Sequence, residues 1–304
     1  MNIVTIGTTF VDVKGFPNEV YIPGGRNAGR VEITEGGVGR NIAENIANCR
    51  QESIFISAVD DSSLSEGVLS HFHEKKISTR YMKETSNGLG TWLAVFNEKG
   101  DVVAQISNRP NMKIVRHVLD DDGDDIFKKA DSIIIEADID EKIVGQTFEL
   151  ADKHKKPVYM VVGNMSLTLE HKDYLKKTGC FICNEQEAGM LAGNSLEELS
   201  EEALVQKVYE LAKTFEIKKM VVTLGKKGAV YADLEEEIKG KVDACPTEVV
   251  DTTGAGDAFF SGTVVGLTHN LSLENACRIG SKLAASTISG LTNVCGQFDP
   301  KELF

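Results

Sequence analysis

Two carboxylates, Asp251 and Asp257, bracket the run Thr252-Thr253-Gly254-Ala255-Gly256, which sets nearly bare backbone amides between them. Glycine at 254 and 256 lets the chain turn sharply and lets a ligand approach the backbone closely. The apolar stretch from Ala258 to Leu267 reads as a buried helix, so the amides of its first turn point at an anion. Asp257, at the mouth of that helix, is placed to take a proton from a hydroxyl attacking a phosphorus held by those amides. A plain helix cap needs one Asp, and not Gly-Ala-Gly between two. The chemistry this run suits is phosphoryl transfer, with Asp257 as the base and the amides of Gly254, Ala255 and Gly256 against the phosphate.

Further turns offer polar groups. Glu35-Gly36-Gly37-Val38-Gly39-Arg40-Asn41 opens a second helix, with Asn41 pointing from its first turn. A Gly-Gly-x-Gly string alone reads equally well as a plain loop, and it lacks the spacing and the acidic residue of a dinucleotide fingerprint, which disfavours a Rossmann NAD site. Asn184-Glu185-Gln186-Glu187 follows a strand ending at Cys183, at the carboxyl edge where ligands of such folds collect. Asn184 and Glu187 share one helix face and could orient phosphate-bound Mg²⁺ through water, or simply form an N-cap with a capping-box Glu. Thr223-Leu224-Gly225-Lys226-Lys227-Gly228 supplies a tight turn with a hydroxyl at its entry, suited to a nucleotide or to nothing beyond a β-turn. Asp12, just past the first strand, is either a holder of substrate hydroxyls or a surface carboxylate.

These turns need a scaffold that brings strand ends together. Short β-rich runs alternate with helical stretches, which argues for a doubly wound, mostly parallel α/β sheet flanked by helices. Strands are expected at Ile3 to Gly7, Ser53 to Ala58, Ser132 to Glu136, Pro157 to Val162, Cys180 to Cys183 and Lys219 to Thr223. Helices are expected at Gly39 to Cys49, Lys142 to Lys153 and Glu201 to Phe215, and a late pair, Gly256 to Leu267 and Leu273 to Ser289, carries small residues that allow close packing. Two segments, about 9–35 and 88–110, keep strand rhythm without a helix between; Thr91 to Ile106 is a hairpin by composition. They predict a small β-sheet lid on a single domain spanning 1–304, with an exposed face that a second subunit could cover.

Composition bounds the partners. The 304 residues are 41% hydrophobic and 26% charged, with no apolar run near the roughly 18 residues that span a bilayer. No secretory n-region opens the chain, and six scattered cysteines fit a reducing compartment, so a cytoplasmic protein is expected. A net charge of −13 without a basic block speaks against nucleic acid. Cys180-Phe181-Ile182-Cys183 lacks a second pair for zinc and reads as buried strand. His71 and His73 are expected to be solvated. The run Asp120 to Asp125 lacks the closing Glu of a calcium loop and reads as a solvated loop or helix cap.

Together, Gly36 to Asn41, Asn184 with Glu187, Thr223 to Gly228 and above all Asp251 to Asp257 resemble, in order along nearly the whole chain, the PfkB (ribokinase-like) family of ATP-dependent carbohydrate and nucleoside kinases. The resemblance implies that Asp12, Gly36, Gly37, Arg40, Asn41 and Asp257 hold the substrate. It implies ATP at Thr223, Gly225, Gly228, Asn184, Thr253, Gly254 and Gly256, Mg²⁺ organised by Asn184 and Glu187, and K⁺ or another monovalent cation near Asp251 and Thr253. It also implies a homodimer formed through the lid. Within the family, Gly36 to Ala43 and Thr292-Asn293 look most like pseudouridine kinases, which points to the ribose 5′-OH of a nucleoside as acceptor. Those kinases carry Asp-Pro-Val-Ser where this chain has Val161-Val162-Gly163-Asn164, and Ile-Asn-Asp-Met where it has Ile106 to Met112. The alternatives are a kinase of a free sugar or sugar phosphate, for which Arg26, Arg40 and Arg109 are the available cations, and a non-catalytic binding protein on the same fold.

Overall fold

The structure, a computed structural model, describes residues 1–304 apart from the side chain of His171. Among the described residues, thirteen strands form two sheets. The large sheet contains β1 (Asn2–Ile6), β4 (Glu52–Val59), β5 (Ser78–Glu84), β8 (Ser132–Glu136), β9 (Val158–Val161), β10 (Phe181–Asn184), β11 (Lys219–Thr223), β12 (Ala229–Asp233) and β13 (Ile238–Val242). The small sheet contains β2 (Phe10–Pro17), β3 (Gly29–Gly36), β6 (Gly90–Phe96) and β7 (Val102–Asn108). This is the mostly parallel α/β fold expected, and the small sheet is built from the two segments that keep strand rhythm in the sequence.

The large sheet runs β13-β12-β11-β10-β9-β8-β1-β4-β5 and is parallel from β11 to β5, with β12 and β13 added antiparallel at one edge. Both faces of a parallel sheet are covered, so its strands are continuous apolar runs with a period of two in their partners. In β8, Ile134 packs with Ile42, Ile46, Phe260 and Val264 on one face. Its neighbours Ile133 and Ile135 pack with Val118, Leu119, Phe127 and Phe148 on the other. From β1 the chain proceeds outward to β4 and β5, then returns to β8 and continues the opposite way. The strand order therefore reverses between β1 and β8, and the crevice above their carboxyl ends is where such folds bind ligands.

The small sheet, ordered β3-β2-β6-β7, stands over that crevice. Its cross-strand rows alternate in character. Thr34, Asp12, Trp92 and Ser107 lie in one row, and Ser107 reaches the crevice; Ile33, Val13, Leu93 and Ile106 lie in the next, on the opposite face. Successive rows thus put Asp12 and Ser107 on one face and Ile33 and Ile106 on the other.

Two expectations change. Asp120 to Asp125 lies inside the helix Lys113–Lys129, not in a loop or at a cap, because Val115, Val118, Leu119, Ile126 and Phe127 supply a buried stripe and Gly123 packs on Leu150. The acids there ride the solvent side of a helix. β5 and the β12–β13 hairpin, unmarked in the sequence reading, extend both edges of the sheet. Cys180 and Cys183 are free and buried at the β10 strand, as expected, with burial pushing both thiols up. Among the described residues, no helix is long and apolar enough to cross a membrane.

The late helices, Ala255–Thr268 and Leu273–Ile288, approach closely enough that side chains are excluded between them. A Cβ on Gly262 would fall 2.8 Å from the Gly280 Cα, and one on Gly280 would fall 2.6 Å from the Phe259 carbonyl oxygen. The contact sets the angle at which the first turn of the Ala255–Thr268 helix meets the crevice. Gly280→Val should overpack it by about 1–3 kcal/mol and lower the melting temperature by roughly 3–10 °C, measured by circular dichroism. An unchanged melting temperature would mean that the helices do not meet there.

Candidate active site

β1 ends at Ile6, and Gly7-Thr8-Thr9 leaves its carboxyl edge beside Glu136, the last residue of β8. Glu136 is buried and accepts hydrogen bonds from the Thr8 amide (2.9 Å), the Thr8 hydroxyl (2.8 Å) and the Gly39 amide (2.5 Å). It ties the start of the Val38–Asn48 helix to the switch point. Burial first, then the nearby Asp138 carboxylate, push the Glu136 carboxyl up, against the hydrogen bonds from Thr8 and Gly39.

Most long helices here begin on a side chain that accepts from their own first turn, as Ser62, Asp140, Asn184, Ser200 and Ser272 do. Two helices at the crevice do not. Val38–Asn48 starts from Gly37 at φ 100° and Ala255–Thr268 from Gly254 at φ 79°, each without a side-chain cap. Left-handed backbone at these positions suits glycine. Gly254 is further constrained, since a Cβ would fall 2.0 Å from the Asn293 carbonyl oxygen, whereas one on Gly256 would meet nothing within 4 Å. One side of the Gly254 loop is therefore packed on the C-terminal loop and the other is open. That loop is itself held by Asn45 and Asn48, which bond the backbone of Cys295 at 2.8 and 2.7 Å.

The two helix starts are joined directly: the Asn41 amide nitrogen donates to Asp257 Oδ2 at 2.9 Å. Burial pushes the Asp257 carboxyl up to about 7, and the Asn41 hydrogen bond opposes the rise. A carboxylate of that basicity is suited to general-base work at neutral pH.

A cavity of about 310 Å³ opens above the switch point, lined by Thr8, Phe10, Gly37 and Asn41 on one side and by Glu136, Asp138 and Asn164 on the other. Ser107 and Arg109 enter from the end of the small sheet. Arg109 donates to the Asp138 carboxylate at 2.7 Å, and Asp138 packs against Gly163. The chain has no acid at Val161 to Asn164, but the neighbouring strand brings a carboxylate to that place.

The remaining residues singled out from sequence fall as follows. Asp12 faces Gly36 across the β2–β3 pair, with Lys14 at 3.9 Å; burial pushes the Asp12 carboxyl up, against the charges of Lys14 and Arg40. Arg40 is buried in ion pairs with Glu35 (2.8 Å) and Glu44 (2.6 Å) and does not line the cavity. Asn184 and Glu187 form a reciprocal capping box, each amide donating to the other's side chain at 2.8 Å, and burial pushes the Glu187 carboxyl up. Thr223 is the register partner of Asn184, and Gly225 and Gly228 shape the left-handed turn that follows. Asp251 does not cap the Ala255–Thr268 helix; it accepts from the Thr253 amide (2.9 Å) and hydroxyl (2.8 Å), which hold its carboxyl down. Asn41 and Asp257 thus meet at the switch point, whereas Asn184 and Thr223 stand three and four strand spacings from β1, roughly 15 Å and about 19 Å along the same edge. Among the described residues, no group of three or more His, Cys, Asp or Glu could hold a metal ion by itself.

The sequence reading passed over Thr8, Glu136, Asp138 and Asn164. Glu136 carried a usable signal, a charge terminating the run Ile133-Ile134-Ile135 at a strand's carboxyl end; Asp138 carried none. His73 is exposed as expected, but His71 is not simply solvated: its Nε2 lies 3.0 Å from the buried Glu44 carboxylate.

The chain matches the pfkB family carbohydrate kinase model over residues 1–291. It is 32% identical to the guanosine-inosine kinase of Exiguobacterium acetylicum over 292 residues, covering 96% of this chain and 95% of that protein. It is 25% identical to the pseudouridine kinase of Escherichia coli (strain K12), covering 86% and 82%. In fold it is similar to Arabidopsis thaliana ribokinase complexed with ribose and ATP, with a TM-score of 0.84, 21% identity and coverage of 99% of this chain and 98% of that one. The glycine-led helix starts, the basic carboxylate between them and the match along nearly the whole length agree: the chain belongs to the pfkB family of carbohydrate kinases and is an ATP-dependent kinase.

Proposed function

We propose that the chain transfers the γ-phosphoryl group of ATP to the ribose 5′-OH of a nucleoside, with Asp257 as the base. The observation that carries this reading is the meeting of two helix N-termini without side-chain caps at the Asn41–Asp257 hydrogen bond. The helix dipoles place about half a positive charge at each N-terminus; the Gly39 amide is held by Glu136 and the Ala255 amide by the Thr252 carbonyl, and the rest of the two first turns favours charge spreading over a transferred phosphoryl group. Asp257 takes the proton of the attacking hydroxyl, and the Gly254, Ala255 and Gly256 backbone faces the phosphoryl oxygens. Asp12, Gly36, Gly37 and Asn41 orient the ribose.

Thr223, Gly225, Gly228 and Thr253 line the nucleotide side, and the roughly 15 Å between β10 and β1 suits an extended triphosphate lying along the sheet edge. Asn184 and Glu187 would hold the water shell of Mg²⁺, a hard cation that neutralises phosphate charge when bound. Asp251, with its carboxyl held down, would attract K⁺ or another monovalent cation beside Thr253. Six free cysteines, five of them buried, support a reducing compartment such as the cytoplasm.

A nucleoside fits better than a bare sugar because the far wall, Ser107, Arg109, Asp138 and Asn164, offers donors and acceptors beyond those a ribose needs. Among nucleosides, the likeness to a guanosine-inosine kinase at 32% identity supports a 6-oxopurine base. The Gly36 to Ala43 run and the likeness to a pseudouridine kinase favour pseudouridine as the second reading.

The small sheet serves as a lid over the acceptor, and its outer face supports a homodimer. Ile33 and Ile106 lie in one cross-strand row and Val31 in the next but one, and they are 59%, 70% and 68% exposed, an apolar patch that a second copy could cover.

Coupled measurement of ADP release should show guanosine or inosine used with kcat/KM at least about tenfold above ribose, a margin of some 1.4 kcal/mol; a preference for free ribose would overturn the nucleoside reading. Asp257→Asn should lower kcat by about 10²–10⁴ with ATP binding retained in calorimetry. Near-normal turnover would remove Asp257 from the role of base. Because the base must be ionised, kcat/KM of the wild type should fall about tenfold per pH unit below pH 7; a profile flat to pH 5 contradicts the assignment. Ile33→Glu with Ile106→Glu should halve the mass found by light scattering, and an unchanged dimer would place the contact elsewhere.

A further inference from the structure

We infer that Arg40 is a positioning residue: held in a buried charge cluster, it fixes the side-chain amide of Asn41 so that its NH₂ group faces the Asp257 carboxylate. The inference rests on Asp257 being the base. The Arg40 side chain is 6% exposed, so it is not a group reaching for substrate. Its Nη2 lies 2.8 Å from Glu35, 2.6 Å from Glu44 and 3.2 Å from His71 Nε2, and its Nη1 donates to Asn41 Oδ1 at 3.1 Å. Asn41 in turn donates to Asp257.

An amide has two faces, and either could in principle meet Asp257. A guanidinium carries donors alone and an ionised carboxylate carries acceptors alone, so an amide between them has one orientation that satisfies both. Arg40 supplies the half of that constraint that does not depend on the state of Asp257. Without it, Asn41 could turn its carbonyl toward Asp257, which would favour the protonated acid and remove the base from use. The hydrogen bond from Asn41 is the one contact that offsets burial at Asp257, so its direction decides whether the carboxyl is ionised near neutral pH.

The cluster is built to hold the guanidinium still. Glu44 is 1% exposed and is contacted by Arg40, His71 (3.0 Å) and Lys75 (3.0 Å) from the end of the Ser63–Glu74 helix; burial pushes its carboxyl up, but these partners outweigh it and hold it down. Glu35, at the end of β3, bonds the same Arg40 nitrogen. Asp12 on β2 and Lys14 beside it are the other charged groups turned toward this region, and Arg40 acts on Asp12 by charge. Two carboxylates and an imidazole, from β3, the Val38–Asn48 helix and the Ser63–Glu74 helix, thus converge on one guanidinium whose Nη1 sets an amide.

The test is a ¹³C carboxyl titration of Asp257, read without turnover, together with the pH profile of kcat/KM. Arg40→Met should raise the Asp257 midpoint by about one pH unit and shift the acid limb of kcat/KM by the same amount, with Arg40→Lys recovering part of the shift. Because Arg40→Met leaves Glu44 buried with fewer partners, Arg40→Met with Glu44→Gln removes the charge and its buried partner together and should show the same shift in a folded protein. An Asp257 midpoint unmoved in both variants overturns the inference, as does a raised nucleoside KM with an unmoved midpoint. If the wild type phosphorylates no nucleoside, the proposed function fails, while the titration still decides the role of Arg40.

Discussion

The hydrogen bond between Asn41 and Asp257 joins two helix N-termini that would otherwise repel. Each carries partial positive charge from its helix dipole and starts at a glycine without a side-chain cap of its own, although Glu136 takes the Gly39 amide. Much of the surrounding structure holds these two ends in place. Glu136 ties one to the end of β1, and the glycine contact between the late helices, with the Asn293 backbone against Gly254, fixes the other. In the proposed reading, a chain with a formal net charge of −13 thereby binds an anion through backbone, without a cluster of lysines.

The arrangement trades stability for chemistry. Burial raises the Asp257 carboxyl to about 7 from an ordinary value of 3.8, so between those limits the folded chain holds a proton that the unfolded chain has released. By linkage, the contribution of Asp257 to stability therefore falls as pH rises through that window. In the proposed mechanism the return is a base that is strong enough to accept a hydroxyl proton and ionised enough to do so near neutrality.

The fold was legible because parallel strands buried on both faces are continuous apolar runs, as in Ile133-Ile134-Ile135, and because the helices between them show their stripes. The glycine-led start of the Ala255–Thr268 helix was legible because a positive φ and a close backbone approach demand glycine, and glycine is visible in a sequence. What depended on side chains meeting across the fold was not. Glu136 meets Gly39 across 97 positions and Asn41 meets Asp257 across 216, and local pattern carries no trace of either pair. Arg40 was a substrate contact only by family resemblance; its counter-charge at Glu44 lies one helical turn on and gives no sign in the sequence of being buried. The acid run at Asp120 to Asp125 misled for the opposite reason: composition suggested a loop, while the apolar stripe on either side of it made a helix.

The central claim is that Asp257 and the two helix starts direct a phosphoryl group to a primary hydroxyl. It is tested most directly by ³¹P NMR of the product formed from ATP and a nucleoside. The account predicts a phosphomonoester resonance split into a triplet by near-equal coupling to the two 5′ protons, growing in step with ADP. A doublet from a 2′- or 3′-phosphate, or inorganic phosphate released in place of an ester, would contradict it.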